Sequence, residues 1–174
     1  LNDPDVLGAF QKANRVMREQ ILQSGHIKRN AGSRNKPLVG RQEPETEPSW
    51  YPFQLAFQLL TLASVVNPRH EDRETVDLIW FPTGGGKTEA YLAVAAFEMI
   101  HRRMTRGMRG GGTAVITRYT LRMLTAQQFQ RAATLICALE LLRHEDPRLR
   151  ASPEFTIGLW VGSPSTPNSY AEAF

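Results

Sequence analysis

The chain has 174 residues, 41% of them apolar, and 21 Lys+Arg against 17 Asp+Glu, a net charge of +4. That suffices for one compact domain with a core but not for two large ones, and so small a basic surplus does not by itself identify a polyanionic partner. No apolar run reaches the roughly 18 residues that a membrane-spanning helix needs, and LNDPDVLGAF lacks the basic-then-apolar order of an export signal, so a cytoplasmic protein without a membrane partner is expected.

Asp3 and Pro4 start a helix, and Val6, Leu7, Phe10, Ala13, Val16, Met17 and Ile21 recur at helical spacing as far as a stop at Gly25. Residues 26–48, HIKRNAGSRNKPLVGRQEPETEP, are polar and contain Pro, so 1–48 reads as a helix and a linker. Lys28, Arg29, Arg34, Lys36 and Arg41 in it read as solvated charge before they read as phosphate contacts. A second helix begins near Pro52 (PFQLAFQLLTLASVV) and leads through the charged turn NPRHEDRET to an apolar run, Val76 to Phe81. A glycine loop follows, then the helix KTEAYLAVAAFEMIHRRM and a Gly/Arg-rich turn carrying Arg102, Arg103, Arg106 and Arg109, where no ligand is expected. Next come a short strand TAVIT, a helix over Leu124 to His144 and a third strand, FTIGLWV, from Phe155. Strands alternating with helices of this length imply βαβ units and a parallel sheet with right-handed crossovers. Cys137, inside ATLICALELL, reads as a small buried hydrophobe. Leu1 at the start and Phe174 straight after a Pro/Ser-rich turn read as the ends of a fragment of a longer protein.

The stretch FPTGGGKTEA, residues 81–90, ends like a phosphate-binding loop, although the pattern GxxxxGK[ST] would need glycine where the chain has Phe81. What remains is Thr83-Gly84-Gly85-Gly86-Lys87-Thr88 between an apolar run and an amphipathic helix, which is the context such a loop requires. Successive glycines let several backbone N–H groups converge on one phosphate, and the helix start adds its positive dipole end. Lys87 would reach the β and γ phosphates of ATP, and the Thr88 hydroxyl would bind Mg²⁺. Guanine specificity is not expected: the single Asn-Lys pair, Asn35-Lys36, lies upstream and has Leu38 where an NKxD aspartate would stand.

With Pro82 in second place, PTGGGKT resembles motif I of superfamily 2 helicases, in which the first glycine is often absent. Tyr51-Pro52-Phe53-Gln54 resembles the aromatic-and-glutamine element upstream of that motif, whose glutamine pairs with the adenine edge. Gln54 carries the required donor and acceptor, and reads equally as a polar residue of an amphipathic helix. Thr117-Arg118-Tyr119-Thr120-Leu121-Arg122 before LTAQQFQRA is similar to motif Ia, which lies along a sugar-phosphate backbone. Arg118, Thr120 and Arg122 are its candidate nucleic-acid contacts, the alternative being surface charge at a helix start. Val161-Gly162-Ser163-Pro164 resembles motif Ib. At finer grain RYTLRMLTAQQFQRA, LICALELLR and FTIGLWVG with TPN behind it resemble the helicase family of the bacterial DISARM antiphage system, over Trp50 to Asn168.

The resemblance implies an α/β fold: an incomplete first RecA-like P-loop NTPase domain, a parallel sheet with flanking helices, over 49–174 and preceded by the helix and linker of 1–48. It implies the ATP-binding portion of an ATP-dependent helicase or translocase, with nucleic acid (DNA first) and other defence proteins as partners. The carboxylate that would complete the Mg²⁺ shell and position water is missing. His70-Glu71-Asp72 and His144-Glu145-Asp146 sit in polar turns and read as solvated charge. The chain alone is therefore expected to bind ATP without turning it over. Two other readings stay open: a different P-loop ATPase motor whose arginines serve partner subunits, and a non-hydrolysing nucleic-acid-binding fragment.

Overall fold

The computed structural model describes residues 3–30, 47–82, 84–119 and 122–160, with backbone alone over 25–30 and 122–125. These residues form α1 (Pro4–Asn30), α2 (Pro52–Val66), α3 (Lys87–Arg106), α4 (Arg122–Glu145) and the single turn α5 (Pro147–Arg150), with 3-10 turns at Glu71–Glu74 and Gly107–Gly110. Asp3 starts α1 by accepting from the backbone N–H of Asp5 at 2.8 Å, and Pro4 takes the first helical position, where a missing N–H costs nothing. The helix runs on through Gly25 to Asn30. A lone glycine disfavours a helix by about 1 kcal/mol but does not forbid it, so the expected stop at Gly25 is not a boundary. Asp146 and Pro147 start α5 the same way, with the Arg148 N–H on the Asp146 carboxylate at 2.9 Å.

α3 packs against each of the other four helices. Its buried face is Ala90, Leu92, Ala93, Ala96, Phe97 and Ile100, met by Ala9, Ala13, Val16 and Met17 of α1 and by Leu135, Leu139 and Leu142 of α4. Alanines on both α1 and α3 let the two backbones approach closely, while Phe97, Met17 and Ile100 fill the space between. Ion pairs join α1 to the end of α4 and to the turn beyond it: Arg15 with Glu145, Lys12 with Asp146 and Asp5 with Arg148. α3 and α4 run the same way, since Glu89 meets Arg131 near one end while Arg103 and Glu140 both reach residues 153–155 at the other.

The parallel sheet of a RecA-like α/β fold is not formed. Among the described residues there is no strand, and the runs that read as strands (Val76 to Phe81, TAVIT, and FTIGLWV up to Trp160) are extended segments without a ladder. A strand of a parallel sheet is buried on both faces, whereas here Val76 is 91% exposed and Leu78, Trp80, Ile116 and Trp160 are likewise outside. A short apolar run fixes an extended backbone without fixing a hydrogen-bonding neighbour, which is why the pattern misled. α2 departs from its pattern too. It buries Gln54, Gln58, Thr61 and Leu62 and exposes Leu55, Leu59 and Leu60. Two of the buried polar side chains bond within the helix, Gln58 Nε2 donating to the Gln54 carbonyl (3.2 Å) and Thr61 Oγ1 to that of Phe57 (2.9 Å). Cys137 is exposed, on the side of α4 that faces a 410 Å³ groove along α1, rather than buried as its apolar neighbours suggest.

Side chains, not a sheet, hold the extended segments. Arg103 is buried at the end of α3, donates to the carbonyls of Pro153 (2.9 Å) and Glu154 (2.7 Å), and lies 4.0 Å over the Phe155 ring. Burial, then the neighbouring Arg102, lowers its pKa from the usual arginine value. Arg102 donates to the carbonyls of Gly111 (2.8 Å) and Thr113 (3.1 Å). From the other side Arg143 forks onto Glu140, and Glu140 accepts from the Phe155 N–H at 2.5 Å. Half of the basic turn is thus framework, while Arg106 and Arg109 stay exposed. Arg103→Ala should lower unfolding stability by about 3 kcal/mol, because it strands two carbonyls and opens the core, whereas Arg106→Ala should change it by less than about 0.5 kcal/mol. Urea unfolding midpoints of the two variants check this.

Candidate functional site

The glycine run becomes a tight turn at the start of α3. Gly84 and Gly86 sit at φ +84° and +83°, left-handed values that a side chain resists, and the Gly85 N–H donates to the Pro82 carbonyl at 3.2 Å. Gly86 is the residue before α3, and no side chain caps the helix there. The first-turn N–H groups of a 20-residue helix, which have no intrahelical partner, therefore face the turn without a side-chain acceptor. The Lys87 ammonium folds back over the turn and donates to the carbonyls of Phe81 (2.5 Å) and Pro82 (2.9 Å). The turn thus joins a lysine and the positive end of a helix dipole, and at Gly84 an added Cβ would meet nothing within 4 Å.

Gln54 locks this turn to α2. Its Nε2 donates to the Gly86 carbonyl at 2.7 Å, its Oε1 accepts from the Tyr51 N–H at 2.8 Å, and the side chain is buried. A Cβ on Gly86 would lie 2.6 Å from that Nε2 and would push the Gln54 amide aside, while the left-handed φ disfavours a side chain whatever the space. The amide expected to face adenine thus has both ends committed to backbone in this arrangement. Beside it Tyr51, Phe53 and Phe81 stack in a row, with centroids 6.3 Å and 3.9 Å apart and Tyr51 and Phe81 exposed at its ends. Phe81, which takes the place of the expected loop's first glycine, thereby extends an aromatic surface next to the glycine turn.

Behind the turn, α3 is joined to α4 and to the segment before it. Glu89 pairs with Arg131, both largely shielded from solvent. The Tyr91 hydroxyl lies 2.8 Å from that of Tyr119, 3.3 Å from Gln128 Oε1 and 3.4 Å from Thr88 Oγ1. Burial, then its bond to Tyr91, raises the Tyr119 pKa, so the phenol keeps its proton at any ordinary pH. Sequence reasoning missed these partners. Glu89 and Arg131 are 42 residues apart and Tyr91 and Tyr119 are 28 apart, with no short-range spacing to connect them.

The remaining candidates fall as follows. Thr88 is half-buried in the first turn of α3, and Arg118 is exposed next to Tyr119. Arg122 is the first residue of α4, described in backbone only. Thr83, Thr120 and the motif Ib segment 161–164 lie outside the described residues, as do Arg34, Lys36 and Arg41. Both acid clusters are engaged. His70 Nδ1 accepts from the Asp72 N–H at 3.2 Å, and Glu145 and Asp146 pair with Arg15 and Lys12. Lys12 and the Arg148 N–H outweigh burial and hold Asp146 below the usual carboxylate range. Among the described residues no three His, Cys, Asp or Glu side chains gather as a metal site, and no helix is long and apolar enough to cross a membrane.

No family model matches this chain, and no solved structure does. It is 41% identical, over 165 residues and 92% of its length, to the DISARM protein DrmA of Bacillus paralicheniformis. The chain spans 14% of that relative's length. The aligned span includes the loop, since 92% coverage leaves too few residues at either end to omit it.

If Gln54 acts by holding the loop, Gln54→Ala should weaken binding of ATP and of inorganic tripolyphosphate by the same factor, about 5- to 10-fold for one lost hydrogen bond of 1 to 1.4 kcal/mol. Displacement of a fluorescent nucleotide by each ligand measures both. Loss of ATP affinity alone would instead assign the amide to the base.

Proposed function

We propose that this chain supplies the ATP-binding loop, and beside it a backbone contact for nucleic acid, of a longer ATP-dependent helicase or translocase in bacterial antiphage defence. The observation that carries the proposal is the Lys87 ammonium bent over a left-handed glycine turn at the uncapped start of α3. The likeness to the DISARM protein DrmA supports the defence setting and is compatible with a motor of which this chain is one part.

The chemistry assigned to each residue follows from that turn. Lys87 exchanges two carbonyl partners for phosphate oxygens, a change from neutral to charge-assisted hydrogen bonds that favours the nucleotide. Gly84, Gly85, Gly86 and Thr83 let backbone N–H groups approach the phosphates, and Gln54 holds the turn's far side. For Mg²⁺ the chain offers the Thr88 hydroxyl, and the nucleotide's own oxygens would supply most of the shell, as is usual for this ion. Glu89 neighbours Thr88 but is neutralised by Arg131, so it is not free to activate water. ATP binding with negligible turnover is the expected behaviour of this chain by itself. Arg118, with Thr120 and Arg122 after it, would contact phosphates of a strand without reading bases.

Lys87→Ala should weaken Mg·ATP binding by about 1.5 to 3 kcal/mol, roughly 10- to 150-fold, measured with a fluorescent ATP analogue. Equal affinity of the two proteins would end the phosphate-loop assignment. Arg118→Ala should lower affinity for mixed-sequence single-stranded DNA alike for all sequences and reduce the salt slope by about 0.7, whereas Arg106→Ala/Arg109→Ala, which removes more charge from the far end of α3, should not. Titrations at several salt concentrations distinguish the outcomes.

A further inference from the structure

α2 is turned the opposite way from α1. α1 has the ordinary order, with Val16 and Met17 buried and Gln11 and Arg15 exposed. On α2 the buried residues are Gln54, Gln58, Thr61 and Leu62, and the exposed ones are Pro52, Leu55, Ala56, Leu59, Leu60 and Ala63, none of them polar. These exposed positions recur three and four apart, so they form one stripe along the whole helix, with Leu60 78% exposed. Gln54, bonded to the Gly86 carbonyl just before α3, fixes which side of α2 faces inward. No Lys, Arg, Asp or Glu occurs from Pro48 to Pro68, so α2 has none of the long charged side chains whose stems cover apolar surface. A helix apolar on its outer side is the pattern of one that is covered on both sides.

We propose that the outer stripe of α2 is an interface within a longer polypeptide, covered by an apolar face from the part of a DrmA-length protein that lies outside this chain. The chain spans 14% of that relative's length, so most of such a protein is available to cover it. The chemistry of the stripe narrows the occupant: with no charge and no side-chain hydrogen-bonding group, it gains nothing from a nucleic acid or an acidic peptide and gains only from apolar surface. Size argues against a second copy of this chain. A 15-residue helix is about 22 Å long and about 10 Å across, so its outer face offers on the order of 200 Å², against about 800 Å² per partner in a stable interface between separate proteins. A face of the same polypeptide is held nearby by its covalent connection, and a small contact then suffices. The glycine turn plays no part in this, so the inference stands whether or not that turn takes a nucleotide.

The test compares the 174-residue chain with full-length DrmA of Bacillus paralicheniformis in which this chain replaces the span it matches, both carrying Leu60→Cys and Cys137→Ser. Maleimide labelling is read by mass spectrometry on the peptide that contains residue 60, with the urea-unfolded protein as the reference. In the 174-residue chain the thiol should react within about threefold of the unfolded rate, and in the long protein at least about tenfold more slowly than that. Should the exchange spoil folding, DrmA itself with cysteine at the position aligned with Leu60 is read in the same way and should show the same protection. Equal rates in the short and the long protein overturn the inference. So does slow labelling in a 174-residue chain that sediments as a monomer, which would put the cover within this chain. Slow labelling in a dimer that Leu60→Lys dissociates overturns it too, and would make a second copy the occupant.

Discussion

Everything in this structure is arranged around one helix that has to be buried on most of its sides. α3 touches α1, α2, α4 and α5, and the alanines at 90, 93 and 96 give it a narrow waist on which α1 can lie closely. A helix so enclosed has two ends whose unpaired backbone groups need partners, and the two ends are treated in opposite ways. At the C-terminal end Arg103, buried, and Arg102, half-buried, tie down the neighbouring chain. At the N-terminal end the N–H donors meet a glycine turn and no capping side chain.

The C-terminal arrangement explains how apolar segments can be extended without a sheet. Arg103 and Arg102 supply four charged N–H contacts to the carbonyls of residues 111, 113, 153 and 154. Arg143 and Glu140 hold the same stretch from α4, Glu140 through the Phe155 N–H. Gly110 is needed in this corner because a Cβ would lie 2.7 Å from the Arg102 carbonyl oxygen. Charge is buried here at the expense of solvation, and it is tolerated because each guanidinium meets several acceptors at once.

At the N-terminal end one amide joins two elements. Gln54 reaches from the first turn of α2 to the Gly86 carbonyl, and the left-handed glycine makes room for it. The turn is therefore held by a residue 32 positions upstream, and Glu89 and Tyr91 extend the same junction to α4 and to Tyr119. Any ligand that moved the turn would strain or relieve contacts on both sides of α3.

Local features were legible in the sequence because their causes are local. Asp3-Pro4 starts a helix through short-range hydrogen bonds, apolar spacing marks α1, and the glycine run before Lys87 stands as a tight turn followed by a helix. The candidate loop residues, including Gln54 near it, come from that same local grammar. What the tertiary structure alone decided is which partners the chain finds. Apolar runs at 76–81, 113–117 and 155–160 specify an extended backbone, but a ladder needs a neighbouring strand in register, and arginines from α3 took the carbonyls of the adjoining residues 111–113 and 153–154 instead. Gln54 could have faced a base or a backbone, and its direction was set by the nearness of Gly86. Arg103 and Arg106 carry the same charge three residues apart, yet the helix turns one inward and the other to solvent. Spacing along a chain fixes which side of a helix a residue occupies, whereas only packing fixes what stands opposite it.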